Sequence, residues 1–236
     1  MRFIKNIFLS ALATSAIILS SGCSTLYQYR NSTSTPKWAG EIANFEKLDK
    51  TEIYAKDAIL FTGSSSIRKW TTIREDMAPY PVISRGFGGS KLEDLAFYLD
   101  RIVSPHQFRA LVIFSGTNNL TGKETDAKPE ELLKLAQYIK RKIRSKYPET
   151  PVFWIAITPT NARIKAWPQV QEANRLVKKM CETSPNFHFI ETADAYLGKD
   201  AKPIKELFVD DQIHQNAAGY SIWTKIIKKE LDTYLK

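Results

Sequence analysis

Cysteine is close to absent: the 236-residue chain carries two, Cys23 and Cys181. With Cys23 taken up by modification, as argued below, Cys181 is left alone, so no internal disulfide is expected and the stability of the chain must come from packing. Histidine is scarce too, with three copies at His106, His188 and His214, and no His/Cys cluster has metal-ligand spacing. No metal and no cofactor is therefore expected. Zinc-finger spacing and aromatic–glycine RNA motifs are missing, which excludes nucleic acid as a partner. The longest apolar run, IFLSALATSAIILS, is too short for a comfortable transmembrane helix. No internal repeat or second domain is evident.

What is present fits one globular domain. Hydrophobic residues make up 43% and charged residues 25% of the sequence, enough for a full core. The net charge of +9 is spread along helical stretches such as KLAQYIKRKIRSKY and IIKKELDTYLK, which read as solvated helix faces, with attraction to an anionic membrane or acidic polymer as a weaker reading. The N-terminus joins a basic MRFIKN, the short apolar run and Ser-Gly-Cys, in the layout of a secretory signal. This ending resembles the lipobox of bacterial lipoproteins, with Cys23 as the acylated residue. It departs from the pattern at Ser20, where leucine is preferred, and Leu19 stands one place early. By that resemblance Ser24 favours an outer-membrane address. The expected organisation is a signal peptide over 1–22, a lipidated tether over 23–40 rich in Ser and Thr, and a folded domain over 41–236. Cys181 lies on an apolar helix face with Val170, Ala173, Val177 and Met180, so it is expected to be buried and inert.

Five short apolar runs (DAILFTG, PVISRGFG, ALVIFSG, PVFWIAI and NFHFI) each lead into Gly, Ser, Thr or Pro. Segments of helical period alternate with them. PEELLKLAQYIKRKI places Leu132, Leu133, Ala136, Ile139 and Ile143 on one stripe, and the last helix aligns Tyr220, Trp223, Ile227 and Leu231. Continuous apolar strands alternating with amphipathic helices predict an α/β fold with a five-stranded parallel sheet in three layers, flavodoxin-like. Sites in such sheets form outside the C-terminal strand ends. Four polar clusters fall at that rim: Gly63–Ser66, Gly86–Ser90, Ser115–Asn119 and Asp210–His214.

Those clusters hold what acyl transfer needs. A serine hydroxyl attacks only with a base in hydrogen-bond reach, and FTGSSS offers three candidates, with a helix-capping turn as the bland alternative. His188 alternates with phenylalanines in a strand, and His106 precedes the third strand at the wrong end of the sheet. His214 follows Asp211 by three residues, close enough for a carboxylate to orient the imidazole, while Asp210 has the wrong spacing. Gly89 can bring a backbone N–H close to a developing oxyanion. Asn118 can donate from its amide, and the Ser65 N–H at a helix start completes the set.

In this arrangement the sequence resembles the SGNH (GDSL-like) hydrolases, in their branch akin to the platelet-activating-factor acetylhydrolases. The resemblance covers nearly all of residues 55–236. FTGSSS matches the first family block and implies Ser65 as nucleophile. SRGFGG implies Gly89 and SGTNN implies Asn118 as oxyanion donors, and DQIH implies Asp211 and His214. Ser64 stands where the family name expects aspartate, a position outside the triad. The elbow Gly-x-Ser-x-Gly of other α/β-hydrolases is not matched, because Ile67 replaces its second glycine.

The expected function is a serine ester hydrolase working through an acyl-enzyme. Its candidate substrates are small acyl groups on exported carbohydrate or peptidoglycan, followed by lipid esters. Partners are limited to such an ester substrate and, through Cys23, the membrane. Trp70, Trp154, Trp167 and TPTNARIKAWP are candidates for a pocket wall, with core packing the alternative for Trp154. The competing reading is a non-catalytic surface lipoprotein that grips phosphate at TGSSS.

Overall fold

A computed structural model of the chain describes residues 35–235. The expected signal segment, Cys23 and most of the tether lie outside the described residues. Five strands form the sheet: β1 (Ile59–Gly63), β2 (Val82–Gly86), β3 (Ala110–Phe114), β4 (Val152–Ile155) and β5 (Phe187–Ile190). Among the described residues the α-helices are α1 (Ala39–Thr51), α2 (Ser65–Arg68), α3 (Ile73–Asp76), α4 (Leu92–Val103), α5 (Pro129–Lys146), α6 (Trp167–Glu182) and α7 (Ala217–Tyr234).

All strand pairs are parallel, in the order β2-β1-β3-β4-β5. Every residue of β1, β3 and β4 is buried, because helices cover both faces of the sheet. The two-residue strand period splits the apolar side chains between two cores. Leu60, Leu111, Ile113 and Trp154 pack with Leu95, Ile139 and Val177 on one side. Phe61, Val112 and Phe153 pack with Trp70, Trp223 and Ile227 on the other. This is the three-layer α/β fold expected from the sequence.

The register sets the functional rim. Gly63 pairs with Gly86 on one side and Phe114 on the other, so three strands end level with one another. At Gly63 φ is +138°, and a Cβ there would lie 1.8 Å from the Phe114 carbonyl oxygen, so only glycine lets β1 pass this close and turn into α2. The next residue completes the turn, its N–H donating to Phe114 O at 3.0 Å.

Two expectations need correction. The tether does not extend to residue 40: Thr35–Trp38 form a 3₁₀ turn, α1 starts at Ala39, and Trp38 is buried. On α5 the buried stripe includes Leu135 in place of Leu133, which is only partly covered. Val170, Ala173, Val177, Met180 and Cys181 of α6 are all buried, and burial pushes the Cys181 thiol up to about 12, so it is inert as a nucleophile.

Candidate active site

Ser65 opens α2 immediately beyond β1 and is 7% exposed. α2 is a single turn of four residues, so its dipole adds little to the site. Packing fixes the turn instead: the Tyr220 hydroxyl of α7 donates to the Ser66 carbonyl at 2.9 Å, and Trp70 stacks on the Tyr220 ring at 5.3 Å. Of the neighbouring serines, Ser66 therefore supports the turn through its backbone. The Ser64 hydroxyl is fully buried and has no hydrogen-bond partner among the described residues.

The second half of the site is built locally. Asp211 Oδ1 accepts the backbone N–H groups of Ile213 and His214, both at 2.9 Å, which winds residues 211–214 into a tight turn. Gln212 sits at its apex with φ +53° and is held by Asn161, whose amide donates to Gln212 Oε1 at 3.0 Å. The turn aims Asp211 Oδ2 at His214 Nδ1, 2.6 Å away. The other ring nitrogen, Nε2, lies 2.8 Å from Ser65 Oγ. Burial raises the Asp211 carboxyl, but the N–H bonds it accepts from His214 and Ile213 outweigh this and hold it down at about 2. Asp211 is therefore a carboxylate at any working pH. It accepts the Nδ1 proton and leaves Nε2 with a free lone pair toward Ser65. Asp210 makes no such contact with the ring.

Lys69, which the sequence does not single out, comes within 3.2 Å of His214 Nδ1 and 3.7 Å of Asp211 Oδ2. With Nδ1 protonated both nitrogens are donors, so the two share the Asp211 carboxylate and do not bond each other.

β2 and β3 flank β1, and the loops that follow them are stitched together. Asn118 Nδ2 donates to the Ser90 carbonyl at 3.0 Å and lies 3.9 Å from where a Gly89 Cβ would be. Arg163 donates to Asn118 Oδ1 at 3.0 Å and to the Thr117 carbonyl at 2.6 Å. Because arginine can only donate, it fixes the amide flip and turns Nδ2 toward Gly89 and Ser90. Asn119 completes the join: its Oδ1 accepts the Leu92 N–H at 2.9 Å and its amide donates to Glu93 at 2.6 Å. Arg163 and Asn119 lie in the stretches TPTNARIKAWP and SGTNN marked from the sequence, but these bonding roles were not assigned there, because their partners are far away in the chain.

The remaining candidates separate. His188 sits in β5, stacked on Tyr234 at 3.7 Å, and His106 is buried 3.5 Å from Asp49. Trp70 and Trp154 belong to the two cores. Trp167 lines a hollow of about 10 Å³ shared with Thr117, Thr160 and Arg163. A wider hollow of about 450 Å³ opens between Tyr54, Arg74 and Val82, where β2 begins, away from Ser65.

A profile of the GDSL-like lipase/acylhydrolase family matches residues 54–222. No curated protein matches the chain. Among solved structures, a Streptococcus pneumonia protein named for platelet activating factor superposes with a TM-score of 0.74 at 19% identity, covering 93% of this chain and 99% of its own. A GDSL-like lipase from Bacteroides thetaiotaomicron gives 0.66 at 13%, covering 81% and 97%. An acetylxylan esterase from Geobacillus stearothermophilus, in a catalytic mutant, gives 0.60 at 15%, covering 77% and 96%. At such identities these likenesses establish the fold, while the profile spans most of the chain and carries the assignment: the protein belongs to the GDSL-like lipase/acylhydrolase family and is an ester hydrolase.

Proposed function

We propose that the protein cleaves exported esters through an acyl-enzyme at Ser65, with His214 and Asp211 completing a triad. The observation that supports this most directly is the unbroken run of contacts from Ser65 Oγ to His214 Nε2 at 2.8 Å and from His214 Nδ1 to Asp211 at 2.6 Å. Ser65 Oγ bonds to the acyl carbon while Nε2 takes the hydroxyl proton, and the Asp211 carboxylate stabilises the resulting imidazolium. The carbonyl oxygen, now negative, is met by the N–H groups of Gly89 and Ser65 and by the Asn118 amide, which has a second hydrogen beyond the one given to Ser90. Collapse breaks the ester C–O bond, and the departing alkoxide takes the proton from Nε2. Water then attacks the acyl-Ser65, giving its proton to His214, and the acid leaves as Ser65 recovers its hydrogen.

Hydrolysis of p-nitrophenyl acetate and longer esters by wild type and Ser65→Ala tests the reading, and equal rates would sink it. Asn118→Ala should lower kcat by about 10²-fold with KM changed only a few-fold, since its donor matters most when the oxyanion forms. A phosphate grip at Ser64–Ser66 is the poorer reading, because Ser65 Oγ faces an imidazole.

Small acyl groups on envelope carbohydrate, then lipid esters, suit an enzyme held at the membrane by an acylated Cys23 and exported to the outer membrane. Fractionating cells that express Cys23→Ser checks the anchor: the variant should move from the membrane pellet to the soluble fraction. Retention in the pellet would refute lipid anchoring at this residue.

A further inference from the structure

Before the stretch that the family profile covers, α1 and its preceding turn reach the rim of the sheet beside Gly89. The Trp38 ring occupies the space over Gly88, where a Cβ would lie 1.7 Å from the indole. Gly88 has φ +33°, in the left-handed region that glycine tolerates. Trp38 Nε1 donates to Asp94 Oδ2 at 3.1 Å, the same oxygen that accepts the Lys91 N–H at the start of α4. Three residues after Trp38, Glu41 Oε2 accepts the Gly88 N–H at 3.0 Å, and Glu41 Oε1 lies 3.4 Å from Arg68 at the end of α2. One carboxylate thus touches both the loop that carries Gly89 and the helix that carries Ser65.

We infer that Glu41 is a positioning residue for the oxyanion site: it holds the Gly88 peptide so that the following N–H, that of Gly89, points at the developing charge. The inference rests on the proposed role of Ser65. A donor stabilises an oxyanion only if its direction is fixed before the reaction, and a loop left to find that direction gives back part of the gain. The bond to Gly88 is charge-assisted and partly shielded, so it restrains the loop more firmly than a neutral acceptor would. The Arg68 contact is exposed and contributes little by itself, but its positive charge offsets the carboxylate near a site where negative charge develops. Trp38 supplies the other restraint, filling the space into which the loop would otherwise relax. Glu41 touches no reacting atom.

The test uses the full chain carrying Glu41→Ala or Glu41→Gln. Ile42 is fully buried and Trp38 remains, so α1 keeps its anchors and both variants should fold with melting temperatures near wild type. For Glu41→Ala, kcat on p-nitrophenyl acetate should fall about tenfold with KM within twofold, and the inhibition constant of phenylboronic acid, whose tetrahedral Ser65 adduct mimics the oxyanion, should weaken in parallel. Glu41→Gln keeps an oxygen that can accept the Gly88 N–H and should stay within threefold of wild type in both measures. Reaction with an organophosphate counts competent serines, so kcat is read per active site. Glu41→Ala matching an active wild type overturns the inference. So does an equal loss in Glu41→Gln, or a loss that appears in KM and not in boronate affinity. Absence of Ser65-dependent turnover in wild type overturns the proposed function itself, and this inference with it.

Discussion

Ser65→Ala and His214→Ala should each lower kcat for p-nitrophenyl acetate by about 10⁴-fold or more, and the double variant should be no slower than either single one. The non-additivity is the informative part. With Ser65 Oγ 2.8 Å from Nε2, each group is useful only through the other: a hydroxyl without its base barely attacks, and the base without its hydroxyl has no proton to move. If the losses multiplied, the two residues would be acting independently, and the triad reading would have to be abandoned. Some rate above the uncatalysed background should survive in both variants, because the donors near Asn118 still meet the carbonyl oxygen. Progress curves for the three variants against a buffer blank give all of these comparisons.

Asp211→Asn should be nearly as damaging, with kcat about 10³- to 10⁴-fold lower. The reason lies in the turn. Asp211 Oδ1 is claimed by the N–H groups of Ile213 and His214, so the oxygen of an asparagine stays with those two donors. Its NH₂ then faces His214 Nδ1, which can only accept from it, and the proton moves to Nε2, where it blocks removal of the Ser65 hydrogen. Normal activity in this variant would mean that Asp211 does not set the tautomer. The same substitution reports on stability. The Asp211 carboxyl is held near 2 in the fold, against about 3.9 for a free aspartate. A depressed carboxyl favours the fold above the unfolded value, and that contribution disappears as pH falls from about 4 toward 2. Urea midpoints at pH 5 and pH 3 should draw closer together in Asp211→Asn than in wild type; an unchanged gap would assign the acid sensitivity to other groups.

Much of this was legible in the chain because the informative features are local. The strands are short uninterrupted apolar runs, and a strand buried on both faces has little alternative composition. Asp211 and His214 could be paired from their spacing because the turn that joins them is closed by Asp211's own side chain. Ser65, Gly89 and Asn118 could be grouped because each follows its own strand and all three strands end at one rim. What escaped was long-range or thinly patterned. Arg163 acts on Thr117 and Asn118 across the sheet edge, and no spacing rule connects those segments. α1 hides as a helix because Ile42 is its one fully buried side chain, leaving no apolar stripe of helical period to read. Leu133 and Leu135 are equally good helix residues, and only the direction from which β-sheet and α6 approach decides which of them is covered.

The N-terminal turn has a consequence for where this enzyme can be cut. The family profile begins at residue 54, whereas the first buried side chain of the described fold is Trp38. A chain begun at residue 54 would keep every strand together with Ser65, Asp211 and His214, yet Gly88 would be left facing an empty notch with its N–H turned to water. The border of the family profile and that of the filled rim do not coincide here, and the difference falls beside the loop that carries Gly89.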